Sequence, residues 1–132
     1  MAHVSSELLW QLTKKNNCFL LKKPSGQSIN GNRAVQFTTE PRNLAGVSNF
    51  KYSGLCDPNV VGISASGDRK MAVVVDKKIG KKKAKILLTK DFKRMAKTVE
   101  KEVANAGFRP DLKKAALAKL SCVHRSLRVA KK

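Results

Sequence analysis

The sequence predicts an α+β fold: a small antiparallel sheet of three to four strands, with an N-terminal helix and two C-terminal helices. Three observations carry that prediction. Short apolar runs bounded by Pro, Gly, Asn and Ser occupy most of the chain up to residue 75. Two long stretches of helical periodicity fill the last third. With 132 residues and 42% apolar content, the chain has enough material for one modest core, and we read residues 1–132 as a single domain with a basic C-terminal half.

The first element is a short helix. Ser5 is placed as N-cap, Glu7 lies in the first turn, and Val4 is spaced to staple onto Leu9. Leu8 and Leu12, four residues apart, are the predicted buried face, and Trp10 is expected in the core. Cys18 to Lys23 follows as a strand stopped by Pro24, Ser25 and Gly26, and Arg33 to Thr38 alternates apolar and polar residues. The two runs suggest an antiparallel pair. The glycines at 26 and 31 have the spacing of a phosphate-binding loop, but Asn32 and Arg33 stand where that motif requires Lys and then Ser or Thr. Nucleotide hydrolysis is excluded on that ground.

Beyond Glu40 and Pro41 an irregular segment runs from Arg42 to Pro58. Val60 to Ile63 and Met71 to Val75 are two further strands, joined by a turn around Ser66, Gly67 and Asp68. From Thr89 to Asn105, Phe92, Met95, Ala96, Val99 and Val103 recur at helical spacing, and Gly107 is placed to end that helix in a left-handed turn. The last helix starts with Pro110 at its first position and Asp111 against the positive helix end. Its apolar stripe is Leu112, Ala116, Leu120, Val123 and Leu127, and its other side carries Lys113, Lys114, Arg125 and Arg128.

Charge points to a polyanionic partner. The chain has 28 Lys and Arg against 9 Asp and Glu, a formal charge of +19, which repels itself in any isolated compact state. Residues 1–67 hold 7 basic and 3 acidic side chains; residues 68–132 hold 21 and 6. Nucleic acid fits best, because each cation beside a phosphate releases condensed counterions. A membrane surface fits less well, since the stripe of the last helix is alanine-rich and lacks aromatic anchors. The densest tract, Lys77 to Lys85, packs six lysines into nine residues. We expect it to protrude after a strand as a mobile loop that contacts phosphate, and it could double as a nuclear import signal. Phe50, Lys51 and Tyr52 interleave aromatic and basic residues. Extended, they would turn both rings one way, toward either stacked bases or the core.

The same residues argue against catalysis, metals and cofactors. His3 and His124 lie at opposite ends of the chain, and no His, Cys, Asp or Glu set has ligand spacing. Cys18, Cys56 and Cys122 are odd in number and widely separated, as expected of small buried hydrophobes in a reducing compartment. No run approaches the roughly 18 to 20 apolar residues of a spanning helix, and the N-terminus lacks a basic region followed by an apolar run. The expectation is a soluble, unsecreted protein that is not an enzyme and not a homo-oligomer, with no small-molecule substrate and no membrane partner.

Five segments carry a family resemblance: Leu9-Trp10-Gln11; Asn17 to Lys22; Phe37-Thr38-Thr39-Glu40-Pro41-Arg42-Asn43-Leu44; Phe50 to Leu55; and Phe108-Arg109-Pro110-Asp111-Leu112-Lys113-Lys114-Ala115-Ala116-Leu117. In this order and spacing they resemble the eukaryote-specific large-subunit ribosomal protein twenty-eight family over nearly the whole chain. The resemblance implies a structural constituent of the large (60S) subunit of the cytosolic ribosome. Its partners would be large-subunit rRNA and neighbouring ribosomal proteins, and it would pass through the nucleolus during assembly. An assembly factor binding pre-rRNA is the alternative. The candidate RNA-facing residues are Lys22, Lys23, Arg42, Lys51, Tyr52, Lys78, Lys81, Lys82, Lys83, Arg109, Lys113, Lys114, Arg125 and Arg128. Arg109 and Arg128 are included for their bidentate forks.

Overall fold

The structure, a computed structural model, describes residues 4–21, 36–67, 72–105 and 107–129. Helix α1 spans Ser6–Thr13, strands β1 and β2 are Leu20–Leu21 and Phe37–Thr38, and β3, β4 and β5 are Asn59–Ala65, Val73–Ile79 and Lys82–Leu88. Helix α2, Phe92–Glu100, widens into a π turn over Lys101–Asn105, and α3, Lys113–Val129, follows a 3-10 turn at Pro110–Leu112. β1 and β2 pair antiparallel, as do β3, β4 and β5 in that order. The α+β class read from the sequence therefore holds, with the strands divided between two small sheets.

The core lies between the three-stranded sheet and the two C-terminal helices. Val61, Ile63, Val73, Val75 and Leu88 point from one face of the sheet onto Met95, Val99, Val103, Leu112, Ala116 and Leu120. These helical positions recur every four residues, which explains why their periodicity predicted the elements. Burial of each large side chain stabilises the fold by about 1.5–3 kcal/mol. Pro110 begins the last helical segment as predicted, and Gly107 takes φ +64° and closes the preceding helix, with its N–H on Ala104 O at 3.0 Å.

The irregular segment before β3 is organised by buried polar side chains in place of regular structure. Glu40 Oε2 accepts from Gly54 N–H at 3.0 Å, Asn43 Oδ1 accepts from Gly46 N–H at 2.7 Å, and Asn43 Nδ2 donates to Val47 O at 3.0 Å. Each bond satisfies a backbone group that a turn would otherwise leave buried and unpaired.

Several local expectations are corrected. Ser5 does cap α1, its Oγ accepting from Leu8 N–H at 3.3 Å, but Leu8 and Leu12 are 52% and 67% exposed. The helix turns its other side inward: Thr13 Oγ1 lies 3.4 Å from Cys56 Sγ, and Trp10 packs on Phe50 with centroids 6.0 Å apart. Trp10 is thus half-buried at the edge of the body and not in the core, and Val4 is exposed. Of the cysteines only Cys56 is buried; Cys18 and Cys122 are exposed. The phosphate-loop-like glycines, His3, Arg33 to Val35 and the Asp68 to Met71 part of the β3–β4 connection lie outside the described residues.

Candidate nucleic-acid interface

The lysine tract is not a loop. Lys77, Lys78 and Ile79 end β4, Gly80 and Lys81 form a two-residue turn, and Lys82 opens β5. Tight hairpins of this kind need positive φ in the turn, which Gly80 supplies at +56°. The strand alternation then sorts the lysines by face. Lys77 follows Val73 and Val75 inward, where its Nζ donates to Glu102 O at 2.9 Å and Glu102 Oε2 at 3.1 Å and sits 5.0 Å from the Phe108 ring. The carbonyl it reaches belongs to the π turn, where the helical ladder is altered.

Lys78 and Lys83 stand directly opposite each other across β4 and β5, and Lys81, Lys82 and Lys83 are exposed. Like charges in opposed positions destabilise a sheet. Among the described residues none of Lys78, Lys81, Lys82, Lys83 or Lys85 has an ion pair, so the repulsion between Lys78 and Lys83 is not relieved by one.

A second basic residue lies over the outer face of the same sheet. Arg42 adopts φ +67°, a conformation costing a non-glycine residue on the order of 1–3 kcal/mol. It lies over Gly62: a Cβ there would sit 2.9 Å from Arg42 Cγ and 3.0 Å from its Cα, so only glycine fits. Gly62 pairs with Asp76, which pairs with Lys85. Arg42 Nε and Asp76 Oδ1 are both closed off from solvent without a hydrogen-bond partner. A hollow of about 470 Å³ beside Asp76 is lined by Ser64, Ser66, Val74, Asp76, Lys85 and Leu87.

Arg109 is placed differently from the surface lysines. Its side chain is 14% exposed. Nη1 donates to Asp57 Oδ2 at 2.5 Å and Asn59 O at 2.9 Å, Nη2 to Lys51 O and Asp111 Oδ2 at 2.9 Å, and Nε to Asp111 Oδ1 at 2.9 Å. The guanidinium thus clamps the start of β3, the 3-10 turn Phe50–Tyr52 and the start of the last helix. The Asp111 hydrogen bond, and then both carboxylates' charge, hold Arg109 above its ordinary pKa against the opposing effect of burial. In return the Arg109 hydrogen bond holds the Asp111 carboxyl below the usual range. The bidentate fork predicted for RNA is engaged within the protein.

The extended geometry expected for Phe50 to Tyr52 is also corrected to a 3-10 turn. Tyr52 packs against the core cluster, Phe50 remains 37% exposed against Trp10, and Lys51 is exposed with its Nζ 5.8 Å from the Tyr52 ring. On α3, Lys114, Arg125 and Arg128 are exposed without ion pairs among the described residues, while Lys113 pairs with Glu100. Lys22 and Lys23 lie outside the described residues.

A sequence profile of the Ribosomal L28e protein family matches residues 8–126. The chain belongs to that family. Two relatives align along nearly their whole length. One from Schizosaccharomyces pombe, named large ribosomal subunit protein eL28, is 30% identical over 97% of this chain and 96% of its own. Another of the same name from Dictyostelium discoideum is 33% identical over 98% of this chain and 93% of its own.

Two basic residues beside the outer face of the sheet, Lys85 of the lysine tract and Lys119, are not among the individually named candidates of this L28e-family chain. Lys85 belongs to the outward alternation of β5, and Lys119 of α3 lines a second hollow of about 290 Å³ beside Arg42, Gly62 and Asp76. Recognising β5 as a strand would have assigned Lys85 to the face of Lys83; nothing local marks Lys119. Among the described residues no cluster of three or more His, Cys, Asp or Glu could hold a metal ion, and no helix is long and apolar enough to cross a membrane.

Proposed function

We propose that this protein is a structural constituent of the large subunit of the cytosolic ribosome and stabilises large-subunit rRNA through phosphate contacts. The observation that carries this reading is the hairpin: an exposed β-ribbon whose outward lysines form no ion pair among the described residues. Such a ribbon becomes favourable beside a polyanion, where phosphates replace lysine–lysine repulsion and release counterions. Lys114, Arg125 and Arg128 extend the same sign along α3. Lys51 and Arg42 add contacts nearby, and Tyr52 offers a half-buried ring with its hydroxyl as the polar end. Arg109 acts here as a positioning residue. The two relatives' names support assembly into a large subunit.

This reading expects one copy per translating ribosome, transit through the nucleolus, and release only by harsh salt washing. Confinement to precursor particles would favour an assembly factor instead. With purified protein and a structured RNA, changing Lys81, Lys82 and Lys83 together to Ser should reduce the slope of log K against log salt by about one unit per lost phosphate contact. An unchanged slope would remove the hairpin from the interface.

A further inference from the structure

The outer face of the three-stranded sheet carries a feature that phosphate binding alone does not explain. In one cross-strand row, Arg42 lies over Gly62 on β3, Asp76 follows on β4 and Lys85 on β5. With strands about 4.8 Å apart, the row from Gly62 to Lys85 spans about 10 Å. Cation, anion and cation alternate, yet none of the three forms an ion pair among the described residues. Asp76 Oδ1 and Arg42 Nε are sealed from water without a partner, and Arg42 is held there in a left-handed backbone conformation. The neighbouring row of Ser64, Val74 and Leu87 forms part of the 470 Å³ hollow, whose wall includes Asp76 and Lys85.

We propose that this row and hollow bind one unpaired nucleotide of RNA, with Asp76 reading the donor edge of its base. The proposal rests on the RNA-binding reading above. Arg42 and Lys85 suit the phosphates on either side of the nucleotide. A carboxylate between them repels phosphate, so its favourable partner is an N–H donor. Unpaired bases present such donors on their Watson–Crick edges. Guanine, with N1–H and N2–H side by side, meets a carboxylate best; uracil, whose N3–H is flanked by two carbonyl oxygens, meets it worst. Val74 and Leu87 supply apolar surface for the base, and the Ser64 and Ser66 hydroxyls can bond a ribose. Because Asp76 Oδ1 is already desolvated and unbonded, a small turn of the carboxyl toward an incoming donor recovers a hydrogen bond without a fresh desolvation cost.

The test uses the full chain and three RNA hairpins that differ only at one position: a bulged guanosine, a bulged uridine, or no bulge. Binding is measured by fluorescence anisotropy at fixed salt. The wild type should prefer bulged guanosine over uridine by about tenfold, the scale of one good polar base contact. Asp76→Asn should erase the preference and weaken binding to the guanosine bulge, although it removes a negative charge. Lys85→Ser, on an exposed strand position, should lower affinity for the bulged RNA more than for the paired one. A wild type that does not discriminate, or an Asp76→Asn protein that binds all three RNAs more tightly and equally, would overturn the pocket. The paired hairpin separates the two claims. If its affinity depends on Lys81, Lys82 and Lys83 while no bulge preference exists, phosphate binding stands and the nucleotide site falls; if it does not, the phosphate reading fails by itself.

Discussion

The N-terminal layer and the body beneath it are held by different forces. In the body, Val61, Val73, Val75, Met95, Val99, Val103 and Leu120 are fully buried. In the layer, α1 buries no residue completely, and Val4, Leu8, Leu12, Leu21 and Phe37 are all exposed. Directional bonds hold the layer instead. Thr39 N–H donates to Phe19 O at 2.9 Å, Asn17 Nδ2 donates to Thr13 O at 3.1 Å, and β1 and β2 pair over only two residues. A two-stranded unit that short is marginal by itself, and so is an eight-residue helix. Stability and most of the basic charge therefore reside in the same unit, the body, onto which a less strongly charged layer is docked.

The largest test of this difference is a cavity in the body. Leu120→Ala should destabilise the fold by about 2–5 kcal/mol in denaturant titration, because Leu120 is fully enclosed between sheet and helices. A loss below about 1 kcal/mol would mean the core collapses around the gap and is not the rigid support that the hairpin and α3 require.

Next in size are the two joints that fix the irregular segment to the body. Arg109→Ala removes five hydrogen bonds from one guanidinium and should cost about 1–3 kcal/mol, in the range measured for bonds to charged groups. Arg109→Lys should recover only part, since an ammonium cannot reproduce the planar fork. Gly62→Ala should cost a similar 1–3 kcal/mol by overpacking, because the new methyl meets Arg42 backbone and side chain at 2.9–3.1 Å. If Gly62→Ala is neutral while Arg109→Ala is not, the Arg42 loop is held from the clamp side alone.

Most of the body was legible from sequence because its order is local. Met95, Val99 and Val103, then Leu112, Ala116 and Leu120, announce their faces by four-residue spacing alone. Strand β5 was not legible, since Lys82, Lys83 and Lys85 disguise alternation as a charge run and only Ile86 and Leu88 reach the core. Its structure comes from pairing with β4, which local propensity does not encode. The internal clamp of Arg109 was not legible for the same reason: its partner Asp57 lies 52 residues away, and only Asp111 hints at it. In α1 two stripes compete, Leu8 with Leu12 four residues apart and Trp10 with Thr13 three apart, and contacts with Cys56 and Phe50 decide for Thr13 and Trp10.

A smaller effect follows from the clamp's ionisation. The Arg109 hydrogen bond lowers the pKa of Asp111 in the folded protein, so its contribution is fully present above the unfolded carboxylate pKa of about 3.9. It is lost as pH falls through the lower folded value. Arg109, shifted upward, loses its share only in strong alkali and stays constant near neutrality. Thermal melts below about pH 4 should therefore separate wild type from Asp111→Asn progressively less as acid is added. A gap independent of pH would mean that Asp111 acts through packing.

The smallest predicted effect tests the comparison most directly. Leu12→Ser removes the same side-chain type as Leu120→Ala, but from a position 67% exposed on the layer. Little apolar area returns to water, no cavity forms, and serine's modest helix penalty at the end of α1 is a few tenths of a kcal/mol. The free protein should change by less than about 0.5 kcal/mol. A loss approaching that of Leu120→Ala would show that α1 lies against the body through its leucine stripe, reversing the face assigned by Thr13 and Trp10. A near-zero change together with intact salt-dependent RNA binding would place the stripe outside both the core and the phosphate-facing surface, as expected if the leucine face of α1 contributes to neither.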